Sequence, residues 1–303
     1  MDARITKQRL ANMLSYDWLK IVGAIALAAV AFCVFFMMIA TRATAGQKFY
    51  VYAYNGLSEG GDFSRLGDDL KDKNVFSYDI LDTGSESFKK STLHGDSTFI
   101  ARRSAGEGRV MFVSDVRTED KDGNVSSTLL SFIDEAGTEK ENCLTFLNPE
   151  DFLNDCEAYL TNFFGADLSE ELNTEKARAS FMARNGKDKR YLTKAKKEAG
   201  VLKENERLGK LREDFLLVKE AVNDKTLDYV TYTGFAENVY KLGFSMKSIN
   251  KITSLVYYTA EEEGKKVQKG DDIVLCLFNN RDREGDLKYE TINFLAYLLR
   301  NYQ

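Results

Sequence analysis

Apolar and polar residues are distributed very unevenly along this chain. From Ile21 to Ala40 it reads IVGAIALAAVAFCVFFMMIA, twenty residues with no charge and no Pro, flanked by Lys20 and Arg42. At about 1.5 Å per residue the run predicts a helix of about 30 Å, the thickness of a bilayer's hydrocarbon core. Core helices of soluble domains seldom run so far without a polar position, so residues 21–40 are expected to be a transmembrane helix in contact with lipid. Ahead of it, Ile5, Leu10, Met13, Leu14 and Trp18 recur at helical spacing among Arg4, Lys7 and Arg9. Residues 1–20 then form either a basic amphipathic helix on the inner leaflet or a frayed basic tail. Four basic residues precede the run, and only Arg42 and Lys48 follow closely. That bias places the N-terminus in the cytoplasm and the large C-terminal part outside, in a single-pass plasma-membrane protein. Ala43-Thr44-Ala45 has the form of a cleavage site, but the apolar core exceeds the roughly 7–15 residues of a signal peptide, so an uncleaved anchor is expected.

Beyond residue 46 the pattern is that of an α/β domain, residues 47–303. Gln47 to Asn55 reads as a strand ended by Gly56. Asp62 to Asp72 reads as a helix, with Phe63, Leu66 and Leu70 on one face and Asp62 as its N-cap. Val75 to Leu81 reads as a second strand closed by Asp82-Thr83-Gly84-Ser85. Ser97 to Ala105 reads as a short helix ending at Gly106, and Arg109 to Ser114 as a third strand. Strands alternating with helices predict an open sheet of parallel type. In residues 146–224 helical periodicity dominates. That part opens with Asn148 as N-cap and Pro149 at the first helical position, and is broken near Gly165, Gly186 and Gly200. Strands return at Leu227–Tyr232, Ser254–Thr259 and Asp272–Phe278, and Leu287–Tyr302 closes the chain as an amphipathic helix. The sheet is thus assigned to residues 47–145 and 225–303, leaving open whether the domain has one lobe or two.

Charge narrows the function classes. The first 46 residues hold five Lys/Arg and two Asp/Glu, which leaves 37 basic against 45 acidic residues beyond them, a net of −8. A mildly acidic domain gives no support for nucleic-acid binding. Lys187 to Arg212 is locally basic, with ten Lys/Arg against four Asp/Glu, and reads as a solvated helical face or as a surface for anionic polymers or headgroups.

Metal and enzyme signatures are sparse. One His, His94 in a loop, leaves no His-rich zinc site. Cys33 lies in the apolar run. The remaining three cysteines, Cys143, Cys156 and Cys276, are an odd number and make no full disulfide framework. Neither a Walker-type nor a dinucleotide-type glycine loop is present, nor a G-x-S-x-G elbow, and the acidic loop Glu119–Asn124 has its Gly at the wrong offset for a calcium loop. No cofactor or metal is expected. The reading leans towards recognition rather than catalysis, with an envelope hydrolase using paired carboxylates as the remaining enzymatic option.

Two stretches carry a family resemblance. Phe99-Ile100-Ala101 through Ala105-Gly106-Glu107-Gly108-Arg109-Val110-Met111-Phe112-Val113 resembles the helix-then-strand region of extracellular solute-binding proteins. Ile273–Phe278 followed by Tyr289–Leu299 is similar to their last strand and closing helix. The resemblance implies two α/β lobes, a hinge and a small solute captured between them. The other open reading is a structural or accessory subunit docking on another envelope protein. In either case open α/β sheets bind ligands beyond the carboxyl ends of their strands. By the predicted strands, those ends are Tyr54-Asn55, Thr83-Gly84-Ser85 and Ser114-Asp115. The candidate ligand-binding residues are therefore Tyr54, Asn55, Thr83, Ser85, Ser114 and Asp115.

Overall fold

The apolar run forms helix α1 (Trp18–Ile39), long and apolar enough to cross a membrane, with Val22, Leu27, Phe32 and Phe35 all exposed. In this computed structural model the described residues are 6–8, 11, 18–39, 43–88, 95–121, 125–136, 146–186, 188–233, 239–280 and 283–303. His94, Cys143 and most of the basic N-terminal segment lie outside them. The chain divides into two units, Met1–Ala43 and Thr44–Gln303.

The second unit is built on one six-stranded sheet. After a 3-10 turn at Ala45–Gln47, the chain runs through β1 (Lys48–Ala53), a short β2 (Ser58–Glu59), a 3-10 turn at Phe63–Arg65 and α2 (Leu66–Asp72). Then follow β3 (Asp82–Ser87), α3 (Gly95–Ser104) and β4 (Val110–Ser114). A small hairpin, β5 (Thr118–Glu119) and β6 (Val125–Ser126), precedes α4 (Thr128–Ala136). Three longer helices follow: α5 (Pro149–Phe164), α6 (Thr174–Asn185) and α7 (Lys194–Asn223). The chain ends with β7 (Tyr229–Thr233), β8 (Val239–Ser245), a single helical turn α8 (Ile252–Leu255), β9 (Val256–Glu262), β10 (Lys265–Lys269), β11 (Ile273–Leu277) and α9 (Glu290–Tyr302).

The strand order is β3-β1-β4-β11-β8-β7. The pairs β1–β3 and β1–β4 are parallel, whereas β4–β11, β11–β8 and β8–β7 are antiparallel. The sheet is therefore mixed and not wholly of parallel type. Its parallel half comes from the strand–helix alternation and its antiparallel half from the C-terminal strands, between which only the single helical turn α8 intervenes among the described residues. Residues 44–303 form one compact unit, so the second lobe implied by the resemblance does not appear among the described residues.

Both faces of the sheet are covered, and the pleat assigns alternate residues to each. Phe49, Val51 and Ala53 of β1 join Val110 and Phe112 of β4 in the larger core, beneath α2, α5, α7 and α9. Tyr52 and Tyr54 join Met111 and Val113 in a smaller core with Phe99 of α3 and Leu129 and Phe132 of α4. Burial on both faces explains why β11 and, up to its terminal Ser114, β4 are apolar, with every residue buried.

Three sequence expectations are corrected. The second strand is Asp82–Ser87, not Val75–Leu81. The apolar 75–81 segment is turn-like, burying Val75 and hydrogen-bonding through Ser77 N–H to Glu290 (2.9 Å). Asp62 makes no side-chain cap. Gly200 does not break a helix but lies inside α7, where a Cβ would meet the Phe181 ring at 2.3 Å. By contrast Asn148 does cap α5, its side-chain oxygen accepting from Glu150 N–H (3.0 Å) and Asp151 N–H (3.4 Å).

Buried ion pairs fasten the pieces together. Arg184 of α6 pairs with Asp79 (3.1 Å), Asp286 (2.7 Å) and Glu204. Arg207 of α7 pairs with Glu204 and Glu290 (2.9 Å each). Two arginines of the basic 187–212 stretch thus point inward rather than forming a solvated face: Arg207, and Arg190, which pairs with Asp79 (3.0 Å). At the start of β1, Arg109 donates to the carbonyls of Gly46 (2.7 Å) and Lys48 (3.1 Å) and pairs with Glu284, fixing the chain where it enters the sheet.

Candidate functional site

The topology itself creates a crevice. From β1 the chain crosses through α2 on one face to β3. From β3 it crosses through α3 on the other face to β4, which lies on the opposite side of β1. Connections that leave neighbouring parallel strands in opposite directions separate at the strands' carboxyl ends, and open α/β sheets bind ligands at such a point. Here it falls between the ends of β1 and β4.

A cavity of about 320 Å³ occupies that place, lined by Tyr54, Asn55, Val116 and Thr118, by Ser126, Ser127 and Thr128, and by Ser131 and Phe132. The turn after β1 is closed by Leu57 N–H donating to Tyr54 O (3.2 Å), with Gly56 at φ +91° as its third residue. That is the left-handed conformation that type II turns reserve for glycine. A Cβ on Gly56 would meet Thr128 Oγ1 at 3.2 Å, so the bare turn lets the β1 end and the α4 start approach closely. Tyr54 and Phe132 meet edge to face (4.9 Å between centroids) and join the smaller core to the cavity wall.

Asp115, directly after β4, lies beside the cavity and not in its lining. Its Oδ1 accepts from Ser127 Oγ (2.6 Å), and its Oδ2 accepts from Arg117 Nε (3.0 Å). The same Ser127 oxygen accepts from Leu130 N–H (3.1 Å), capping α4. Asp115 thereby fixes Ser127, and Ser127 fixes the end of the helix that forms one wall.

The six sequence candidates separate cleanly. Tyr54 and Asn55 line the cavity, and Ser114 and Asp115 lie at the β4 end behind it. Thr83 and Ser85 lie within edge strand β3, where their hydroxyls donate to Gly67 O (2.7 Å) and Phe63 O (2.5 Å) beneath α2. They do not converge with the other four, because the strand they were expected to follow is the one they form. The hydroxyls of 118, 126–128 and 131 were not anticipated. Ser126-Ser127-Thr128 ahead of Leu129-Leu130 is a capping signature that would have announced α4.

Burial pushes the thiols of Cys156 and Cys276 well above their ordinary value, keeping both protonated. Among the described residues no group of three or more His, Cys, Asp or Glu is placed to hold a metal ion. A second cavity of about 300 Å³ lies by the start of α5, lined partly by Asn148, Asp151, Asn280 and Glu284. No family model, curated protein or solved structure matches this chain.

Proposed function

We propose that this is a single-pass membrane protein, N-terminus in the cytoplasm, whose extracytoplasmic α/β unit recognises a small solute without transforming it. The observation that carries the reading is the cavity at the β1–β4 crossover, whose polar walls are preset by the Gly56 turn and the Asp115–Ser127–α4 chain of hydrogen bonds. In place of closure between two lobes, capture is by a preformed crevice in one. The apolar length of α1 and the excess of basic residues ahead of it support the anchor and its orientation.

The test uses the full chain in detergent micelles. Its thermal midpoint is followed against amino acids, short peptides, sugars, nucleotides and divalent cations. A ligand at a hundred times its dissociation constant adds about 2.7 kcal/mol. A saturable rise that disappears in Ser131→Trp, which fills the cavity from an exposed helix position, is the expected result. A folded chain that responds to nothing overturns recognition and favours docking on another envelope protein.

A further inference from the structure

Resting on that reading of the crossover cavity, we infer that its ligand is an uncharged, hydroxyl-bearing molecule of roughly monosaccharide size. Among the described residues the lining offers five aliphatic hydroxyls, one carboxamide and an aromatic pair, and no side chain that is charged at neutral pH. Beside the cavity, Arg117 and Asp115 offset each other: Arg117 holds Asp115 through Nε and through Nη2 (3.0 Å each), while the other carboxylate oxygen is taken by Ser127. A carboxylate, phosphate or ammonium ligand entering here would lose hydration and meet no opposite charge, which is strongly unfavourable. A neutral polyol loses only hydrogen bonds with water and needs hydroxyls that can replace them.

Two of the lining hydroxyls are uncommitted among the described residues. Thr118 and Ser126 bond to each other (3.0 Å), and Ser127 is occupied by Asp115 and Leu130. Thr128 and Ser131 are different. They stand three residues apart on α4, hence on one face, both line the cavity, and neither hydroxyl has a hydrogen-bond partner among the described residues. Each can donate and accept at once, which matches the alternating demands of adjacent ligand hydroxyls. Asn55 adds an amide to the lining, and the Phe132–Tyr54 pair supplies an apolar surface for C–H faces. The volume, about 320 Å³, is at the small end of ligand sites.

The experiment titrates the full chain in micelles with two sets of probes. The uncharged set is glucose, galactose, N-acetylglucosamine and myo-inositol; the charged set is glutamate, lysine, citrate and inorganic phosphate. The expected result is saturable stabilisation by at least one uncharged probe. It should weaken at least tenfold in the double variant Thr128→Val/Ser131→Ala, whose ligand-free melting midpoint stays within a few degrees of the parent's. If only a charged probe binds and Ser131→Trp abolishes it, recognition at this cavity stands and the uncharged class is overturned. An uncharged probe whose affinity ignores the double variant also overturns the inference, because it binds elsewhere. Silence from both sets overturns the inference and, with the broader panel silent too, the recognition reading beneath it.

Discussion

At the scale of single residues, the least replaceable side chains are the buried arginines and their acids. Glu204 and Glu290 are fully inaccessible and Arg207 is 3% exposed, so neither carboxylate can turn to water if its partner is lost. Removing one member of such a cluster is costly because it strands the other charges, even where the intact pair gains little over an apolar substitute. Arg207→Met is therefore expected to destabilise the 44–303 unit by about 3–5 kcal/mol, read from urea unfolding of the full chain in micelles. A loss below about 1 kcal/mol would show that the cluster tolerates an uncompensated carboxylate. Asp286 makes the pH-dependent part of the case. Burial alone would raise its pKa, but Arg184 and Arg207 outweigh that and hold it below the ordinary 3.8. Its folded value is thus depressed, and the stability it contributes is present above pH 3.8 and lost as pH falls through the folded value. The stability gap between the parent and Asp286→Asn should be constant around neutrality and close in strong acid. A gap that instead widens on acidification would mean that the arginines do not govern this carboxyl.

At the scale of elements, α7 shows where a local rule loses to packing. Glycine inside a helix costs about 1 kcal/mol relative to alanine, so Gly200→Ala ought to be stabilising. Here the added methyl would lie 2.3 Å from Phe181 Cζ and 2.9 Å from Tyr191 Cε1, in the seam between α7 and α6. We expect Gly200→Ala to lower the thermal midpoint, and a rise would show that the Phe181 ring yields freely. The same contest decides how much of the fold was legible in the chain. Elements with their own signals were read nearly in place: α1 from its length, α5 from Asn148-Pro149, β4 and β11 from their unbroken apolar runs. The slip came at 75–87, where VFSYDIL has the stronger strand composition but DTGSES forms the strand. An edge strand buries less and therefore needs little apolar content, while Val75 and Ile80 are used to seal the larger core beside it. Pairing direction was not legible for β11, since an apolar run has the same composition whichever way its neighbour runs. The site was half legible. The rule about strand ends pointed to Tyr54 and Asn55, which line the cavity, and to Ser114 and Asp115, which lie at the β4 end, but the β3 slip set Thr83 and Ser85 apart from them, and α4 went unread.

At the scale of the whole molecule, the proposed receptor reading turns on which side of a membrane the cavity would face. An apolar helix with exposed Val22, Leu27 and Phe32 is stable only where those side chains leave water, at about 25 cal/mol per Å² transferred. On the proposed reading the helix inserts in a bilayer, and the flanking basic residues would set its direction. The cavity lies at the far end of β1 from Lys48, so the strand's whole length separates it from the point where the chain enters the sheet. Cysteine accessibility reads the orientation directly. Cys156 and Cys276 are buried and Cys33 is exposed on the apolar helix, so a Cys33→Ser/Cys143→Ser background leaves only buried thiols among the described residues. Into it we would place Ser126→Cys, exposed at the cavity rim, and separately Lys7→Cys ahead of the helix. A membrane-impermeant maleimide should label the first variant in intact cells and the second only after permeabilisation. The reverse pattern would invert the orientation and confine the cavity to cytoplasmic solutes. Labelling of both in intact cells would mean that the chain does not span the bilayer, and the case for a tethered receptor would fail at its first step.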